Sequence, residues 1–265
     1  MTRASPDPAS VTPFTSVGRL YRATLKREDI LFNVYVCRPL AALLVYALQG
    51  TRVAPNQVTF FSLLVAALAA GCFIALPWPL GLWLGVLVYE LSYVFDKVDG
   101  MLARARGVQS ASGHLLDFLM DEIKAFLILA AVATGAYRST GRVELLLVGL
   151  GGVVCLASGI GMTTFSRRPE VRGPLNEAVE GAREPRRPSL LGRAVRLAES
   201  IGKFFIHYPS YIWIAAVASD ARIFLYPYAA VNALYAARSM LGLILRFGGP
   251  APRAALDQRE PDRPS

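Results

Sequence analysis

Long apolar runs alternate with short polar segments along most of this chain. Most of the runs are long enough to cross the hydrocarbon core of a bilayer as a helix, and they cover residues 57–76, 80–106, 113–136, 143–165, 204–219 and 223–245. Short segments that contain proline, glycine or arginine separate them. The pattern therefore predicts an all-α membrane protein with six transmembrane helices.

The first 56 residues predict a cytoplasmic or interfacial segment. Residues 1–17 are rich in Pro, Ser and Thr, which predicts disorder, and they lack the apolar core of a signal peptide. Residues 18–30 mix basic and apolar positions, a pattern typical of a helix that lies in the membrane interface. Residues 33–49 are apolar but short and include Arg38, which favours a helix at the membrane surface. A first span is the alternative for this stretch.

Basic residues are distributed unevenly between the two sides that six spans create. Seven Lys/Arg precede residue 57 and nine lie in the loop 166–203, whereas the opposite loops contain only Arg138, Arg142 and Arg222. By the positive-inside rule the basic side is cytoplasmic. We expect this membrane to be a bacterial inner or plasma membrane.

The chain divides accordingly into three parts. The N-terminal segment over 1–56 precedes a six-helix domain over 57–247, and the Pro/Arg-rich residues 248–265 predict a disordered tail. The net charge of +9 would suit nucleic acid in a soluble protein, but 54% of the residues are hydrophobic. The charge therefore indicates contact with anionic lipid headgroups, and we expect membrane lipids and no nucleic acid as partners.

Four aspartates lie where the second predicted span ends and the third begins: Asp96, Asp99, Asp117 and Asp121. An acid at mid-membrane costs roughly 2.5–3.5 kcal/mol, so four unpaired acids would approach roughly 10 kcal/mol. Such a cost is tolerable only at the membrane edge or with cations bound to the acids. The sequence therefore predicts a metal site.

The spacing of these aspartates places them on two helix faces that can meet. Asp96 and Asp99 are three residues apart, and Asp117 and Asp121 are four apart, so each pair shares one face of its helix. The short turn between the helices makes them antiparallel neighbours. Carboxylate oxygens favour Mg²⁺, Mn²⁺ or Ca²⁺, and four of them suffice for two ions that clamp phosphate oxygens. Asp96 and Asp121, at the ends of the set, are the candidates for accepting a proton.

The alternative for any single aspartate is a structural ion pair with a neighbouring base. Lys97, Lys124 and Arg106 are close enough in sequence for this role. All four aspartates together favour the metal site, because small residues and Arg104 accompany them at fixed spacings. Arg104 can pair with phosphate through its planar guanidinium group.

The same run resembles the signature of the CDP-alcohol phosphatidyltransferase family, D-x2-D-G-x2-A-R-x8-G-x3-D-x3-D. Every fixed position is met, by Asp96, Asp99, Gly100, Ala103, Arg104, Gly113, Asp117 and Asp121. Upstream, Pro55, Asn56 and Thr59 are similar to the Pro-Asn-x-x-Thr opening of the first span in many members. One departure is Glu122, which follows the last aspartate where many members have lysine.

The resemblance implies an enzyme of phospholipid biosynthesis with six spans. Such a phosphotransferase moves a phosphatidyl-type group from a CDP-linked lipid, usually CDP-diacylglycerol, to an acceptor alcohol and releases CMP. Two divalent cations, Mg²⁺ or Mn²⁺, would be held by Asp96, Asp99, Asp117 and Asp121, with Asp121 also the catalytic base. The nucleotide pocket would be lined by Gly100, Ala103, Arg104 and Gly113, with Asn56 and Thr59 as helpers. The resemblance also implies a homodimer.

Two alternatives also place acids in membrane helices. A UbiA-type, Mg²⁺-dependent prenyltransferase has two separated aspartate-rich motifs, whereas here all four acids fall within residues 96–121. A cation or proton transporter distributes acids along a path and often has repeat symmetry, and the sequence shows neither.

Three residues outside the signature are weighed as well. Arg238 in the last predicted helix is the candidate for binding the acceptor. Glu90, six residues before Asp96, is interpreted as a structural acid rather than a site residue. His207 lies near a predicted helix start and is interpreted as interfacial.

Overall fold

The structure is a computed structural model of the chain, and it describes residues 14–25, 32–168, 171 and 204–247. All regular elements in this part of the chain are helices. The predicted tail over 248–265, most of the loop 166–203 and most of the predicted N-terminal disorder lie outside the described residues.

The described residues contain eight α-helices: α1 (Val17–Thr24), α2 (Arg38–Leu48), α3 (Pro55–Ala75), α4 (Leu80–Ala105), α5 (Ala111–Thr140), α6 (Val143–Ser166), α7 (Ile212–Val217) and α8 (Arg222–Phe247). A π-helical turn (Asn33–Cys37) leads into α2, and a 3-10 turn (Tyr208–Ser210) precedes α7.

Short-range signals explain where the long helices begin and end. Pro55 occupies the first position of α3, where its missing N–H costs nothing. The side chain of Ser110 caps α5 by accepting a bond from the Gly113 N–H at 3.0 Å. Gly141 ends α5 with a left-handed φ of 70°, a conformation that favours glycine.

Among the described residues, three helices are long and apolar enough to cross a membrane: α3, α6 and α8. Helices α4 and α5 are as long, at 26 and 30 residues, but they carry the charged signature residues. The predicted fifth span over 204–219 is not one continuous helix, because the 3-10 turn at Pro209 interrupts it and α7 has only six residues. The six-span arrangement and the interfacial position of α1 stay predictions.

Glycines let the central helices approach each other closely. A Cβ added at Gly135 of α5 would lie 2.2 Å from the Phe73 carbonyl oxygen of α3. One added at Gly149 of α6 would lie 2.1 Å from the Ala133 Cβ of α5. Helix α5 is therefore packed tightly between α3 and α6, as expected for small residues at membrane helix interfaces.

Helix α4 contributes to two hydrophobic cores, and its second half contains five of the eight signature residues. Tyr89 belongs to the core formed with α3, α5 and α8. Val98 and Leu102 belong to a second core, which they form with Leu20 of α1 and Val45 of α2. The N-terminal helices therefore pack against the part of α4 that contains the aspartates.

Candidate metal centre

Three signature aspartates converge where the end of α4 faces the start of α5. One carboxylate oxygen from each of Asp96, Asp99 and Asp117 lies within 4.8 Å of the other two. Asp96 and Asp99 are only 5% and 4% exposed, and Asp117 is half-buried. At that distance two carboxylates repel by about 3 kcal/mol in an effective dielectric near that of a protein surface. Hard oxygen ligands grouped in this way fit a divalent cation, which would remove the repulsion.

The start of α3 supports both halves of the signature. The Thr59 hydroxyl donates a hydrogen bond to Oδ2 of Asp99 at 2.5 Å, and Thr59 is 3% exposed. The Asn56 Oδ1 atom would lie 3.5 Å from a Cβ at Gly113. Of the two residues predicted as helpers, Thr59 contacts a carboxylate of the cluster directly and Asn56 lies near Gly113.

Two lysines neutralise part of the acidic charge. Lys124 donates to Oδ1 of Asp96 at 2.5 Å and to Oδ1 of Asp121 at 3.1 Å. Lys97 donates to Oδ2 of Asp96 at 2.8 Å. The ion pairs expected as the alternative to a metal are thus present at Asp96 and Asp121. Because three carboxylates converge at the same point, the site also fits a divalent cation.

Asp121 lies next to the three-aspartate cluster rather than inside it. Its side chain is 48% exposed, and Lys124 connects it to Asp96. A carboxylate that is exposed beside buried ones is accessible to a substrate hydroxyl. Its roles as a metal ligand and as the catalytic base stay predictions.

The basic end of α4 is tied to the N-terminal helices. Arg104 donates from Nε to the Thr24 carbonyl oxygen at 2.9 Å, and the buried Arg38 donates to the same oxygen at 3.4 Å. Arg106 donates to three backbone carbonyls, those of Leu48, Thr51 and Val53. These bonds cap the carboxyl end of α1 and secure the turn after α2.

The small residues predicted to line the nucleotide pocket are placed around Arg104 and the start of α5. The Arg104 guanidinium group lies over Gly100, where an added Cβ would be 3.3 Å from Nη1. Ala103 and Gly113 are half-buried. Their nucleotide-binding role stays a prediction.

A cavity of about 560 Å³ opens beside Asp121. Aromatic, basic and amide side chains line it together with Asp121, among them Asn33, Tyr93, Lys97, Lys124, Arg167, His207, Tyr228 and Asn232. Arg238, the predicted acceptor-binding residue, is exposed and lies outside this lining. His207, interpreted from the sequence as interfacial, lies in the cavity wall. No local pattern points to this position, because Tyr93 and His207 meet across 114 residues.

Comparison with known proteins agrees with this arrangement. Residues 52–175 match the family model of CDP-alcohol phosphatidyltransferase. The chain is 29% identical over 188 residues to the phosphatidylinositol phosphate synthase of Mycobacteroides abscessus, covering 69% of this chain and 78% of that protein.

Two further relatives match over shorter stretches. The bifunctional IPC transferase and DIPP synthase of Archaeoglobus fulgidus is 35% identical over 98 residues, and that of Rubrobacter xylanophilus is 39% identical over 89 residues. These matches cover 37% and 34% of this chain. They span only 19% and 20% of those two proteins, about a fifth of each.

Proposed function

We propose that the chain transfers a phosphatidyl-type group from a CDP-linked lipid to an acceptor alcohol, because residues 52–175 match the family model of CDP-alcohol phosphatidyltransferase. CDP-diacylglycerol is the proposed donor and CMP the leaving product. The observation that carries the proposal is the convergence of Asp96, Asp99 and Asp117 inside that range.

The proposed reaction is a displacement at the lipid-side phosphorus. The oxygen of the acceptor hydroxyl forms a bond to this phosphorus, and the bond between the phosphorus and the CMP oxygen breaks. The hydroxyl proton passes to the carboxylate of Asp121, whose exposure beside the cavity supports this role. Bound Mg²⁺ or Mn²⁺ would neutralise the pyrophosphate and stabilise the charge on the departing CMP.

The proposed ligand set follows the placement of the acids. Asp96, Asp99 and Asp117 would hold one cation between them, and Asp121 would complete the set for a second. Thr59 supports the set by fixing one oxygen of Asp99.

The proposed nucleotide site consists of Arg104 and the small residues of the signature. Gly100, Ala103 and Gly113 have small or absent side chains that leave room for a substrate, and Arg104 supplies positive charge. Asn56 lies next to Gly113 and completes this proposed site.

We place the reaction at the cytoplasmic face of a bacterial inner or plasma membrane, in a helical domain over 57–247 that crosses the membrane six times. Three helices with the required length and hydropathy support the membrane location. The excess of Lys/Arg in residues 1–56 and 166–203 supports the orientation. A homodimer is proposed as the assembly, and the mass of the detergent-solubilised protein by light scattering tests it.

The acceptor is the open part of the proposal, and the relatives suggest where to begin. One relative is named a phosphatidylinositol phosphate synthase, so inositol phosphate is the first acceptor to test. Glycerol phosphate, serine and a second lipid complete the panel. Arg238 stays a proposed acceptor contact. Because it lies outside the cavity lining, the side chains that line the cavity are the stronger candidates for binding the acceptor.

The test is CMP release by the purified protein with CDP-diacylglycerol and each acceptor. We expect one acceptor to support turnover in Mg²⁺ or Mn²⁺, and we expect EDTA to stop it until the metal is restored. Full turnover in EDTA would contradict the metal chemistry. Absence of CMP release with every acceptor would contradict the proposed reaction.

A further inference from the structure

Three separate chain segments meet at one hydroxyl group in the wall of the cavity. The Tyr93 hydroxyl on α4 donates to Oδ1 of Asn33, in the turn before α2, at 2.7 Å. The same oxygen lies 2.6 Å from Nε2 of His207. The Nδ1 atom of His207 lies 2.6 Å from Oγ of Ser210, in the 3-10 turn. We call these four residues the tyrosine junction.

With Oδ1 of Asn33 facing the Tyr93 hydroxyl, one set of proton positions satisfies the bonds of the tyrosine junction. A tyrosine hydroxyl has one proton, and here it is donated to Asn33. The contact with His207 therefore requires Nε2–H of the imidazole to donate to the Tyr93 oxygen. In the neutral imidazole Nδ1 then accepts, so the Ser210 hydroxyl donates to it. The tyrosine junction is a continuous chain of donors that holds His207 in its Nε2–H tautomer.

The tyrosine junction connects the cavity wall to the candidate metal centre. Tyr93 is 7% exposed, and the ammonium group of Lys97 lies 4.1 Å from the centroid of its ring. The same ammonium group donates to Oδ2 of Asp96 at 2.8 Å. Asn33, Tyr93, Lys97 and His207 all line the cavity with Asp121. The hydrogen bonds to its hydroxyl fix the Tyr93 ring, and the ring contacts the Lys97 ammonium group that pairs with Asp96.

We propose that Tyr93 and His207 are positioning residues for the acceptor alcohol. They hold the Lys97 ammonium group and the turn at Tyr208–Ser210 in the wall against which the acceptor binds beside Asp121. This inference rests on the proposed function. The proposed donor site around Arg104 contains no member of the tyrosine junction, so we expect the junction to affect the acceptor more than the donor.

Tyr93→Phe tests the inference because it removes the hydroxyl and little else. We expect the KM for the acceptor to rise about tenfold, as for the loss of about 1.4 kcal/mol in buried hydrogen bonding. We expect kcat to fall less than about threefold and the KM for CDP-diacylglycerol to rise less than the KM for the acceptor. Tyr46→Phe, on the exposed side of α2, is the matched control and should behave as wild type.

Variants of His207 provide a second, independent test of the inference. His207→Ala should raise the acceptor KM as Tyr93→Phe does, and the double variant should be no worse than either single variant, because both break the same chain of bonds. His207→Gln retains an N–H donor and should recover part of the loss. Wild-type acceptor KM values in both single variants would overturn the inference, and so would additive losses.

A spectroscopic measurement tests the tyrosine junction without turnover. The chain contains two histidines, so in a His114→Gln background the ¹⁵N signals of the imidazole report His207 alone. We expect the Nε2–H tautomer, and a tautomer mixture once Tyr93→Phe is added. A dominant Nδ1–H tautomer would overturn the inference. If the wild-type protein released no CMP from any donor, the proposed function would fail while this measurement still decided the tyrosine junction.

Discussion

The charged residues at the two ends of helix α5 differ in burial and in pairing. At its end near Thr140 a cavity of about 450 Å³ is lined by Arg142, Asp220 and Arg222. There Asp220 accepts hydrogen bonds from Arg222, two residues along the chain, and Arg222 is half-exposed. Each charge is solvated and has an opposite charge beside it in sequence.

At the other end of α5, Asp96, Asp99 and Lys124 are buried, and contacts between different helices hold them. Asp96 and Asp99 belong to α4, while Lys124 comes from α5 and Thr59 from α3. Like charges converge there, whereas Arg142 is paired with Glu144 at the exposed end. The comparison shows that acids and bases at a helix end do not by themselves indicate a site. Burial and the convergence of like charges do.

The largest effect is expected for Asp99→Asn, which removes one charge from the buried cluster. We expect kcat to fall about 10³-fold or more, because the metal-binding set loses an anionic ligand. The rise in melting temperature that Mg²⁺ gives the wild-type protein should also be lost. CMP release and thermal unfolding with and without Mg²⁺ measure the two effects. Turnover within tenfold of wild type would contradict the assignment.

Asp121→Asn separates the roles of base and ligand. We expect turnover to fall by about 10²–10³-fold, typical of the loss of a general base. Because Asp121 lies beside the three-oxygen cluster, the variant should stay folded and keep most of the stabilisation by Mg²⁺. CMP release and thermal shift distinguish this result from that of Asp99→Asn. Retained turnover would exclude Asp121 as the base.

Thr59→Val should have an intermediate effect, since it removes the hydrogen bond to Asp99 without changing the shape of the side chain. The loss of a buried bond to a charged group costs about 1.5–3 kcal/mol, so we expect kcat/KM to fall by about 10- to 100-fold. Thr134→Val is the matched control, because its hydroxyl bonds only to the Ala130 carbonyl of its own helix among the contacts of the described residues. Equal kinetics for the two variants would refute the support role of Thr59.

The smallest effect is expected for Asp220→Asn at the exposed end, with turnover within about twofold of wild type. The hydrogen bond from Arg222 lowers the pKa of Asp220. Because the pKa of Asp220 is lower in the folded state, the ion pair stabilises the protein at pH values above the ordinary pKa of aspartate, about 4. This stabilisation is lost as the pH falls through the pKa that Asp220 has in the folded protein. Melting temperatures of the two proteins should therefore differ slightly at neutral pH and converge below about pH 4. A constant difference at all pH values would contradict this account.

Helix boundaries were predictable where a local signal ends the apolar run. The predicted 80–106 and 143–165 correspond to α4 and α6 within one residue at each end. Helix α5, the third predicted span, is longer than predicted. Tyr137 and Arg138 continue it to the left-handed turn at Gly141, so polar residues alone did not indicate where it ends. Backbone geometry at a single glycine decided this boundary.

The candidate metal centre was predictable because its residues lie close together in the sequence. Asp96 and Asp99 share a helix face, and the turn before Ala111 brings Asp117 to them. The residues that hold the site from distant parts of the chain were harder to predict. Thr59 meets Asp99 across 40 residues, and His207 meets Tyr93 across 114. Periodicity reports which face of a helix is buried, but it does not identify the distant residue that packs there.

The hydrogen bond between Arg104 and the Thr24 carbonyl oxygen has a practical consequence for work with the protein. A shortened version that starts after residue 25 would lose this acceptor and the Leu20 anchor in the second core. Such a truncation should be poorly stable in detergent even though it retains every signature residue. Affinity tags are therefore better attached to the C-terminus, and we expect limited proteolysis near Leu25 to lower the melting temperature of the protein.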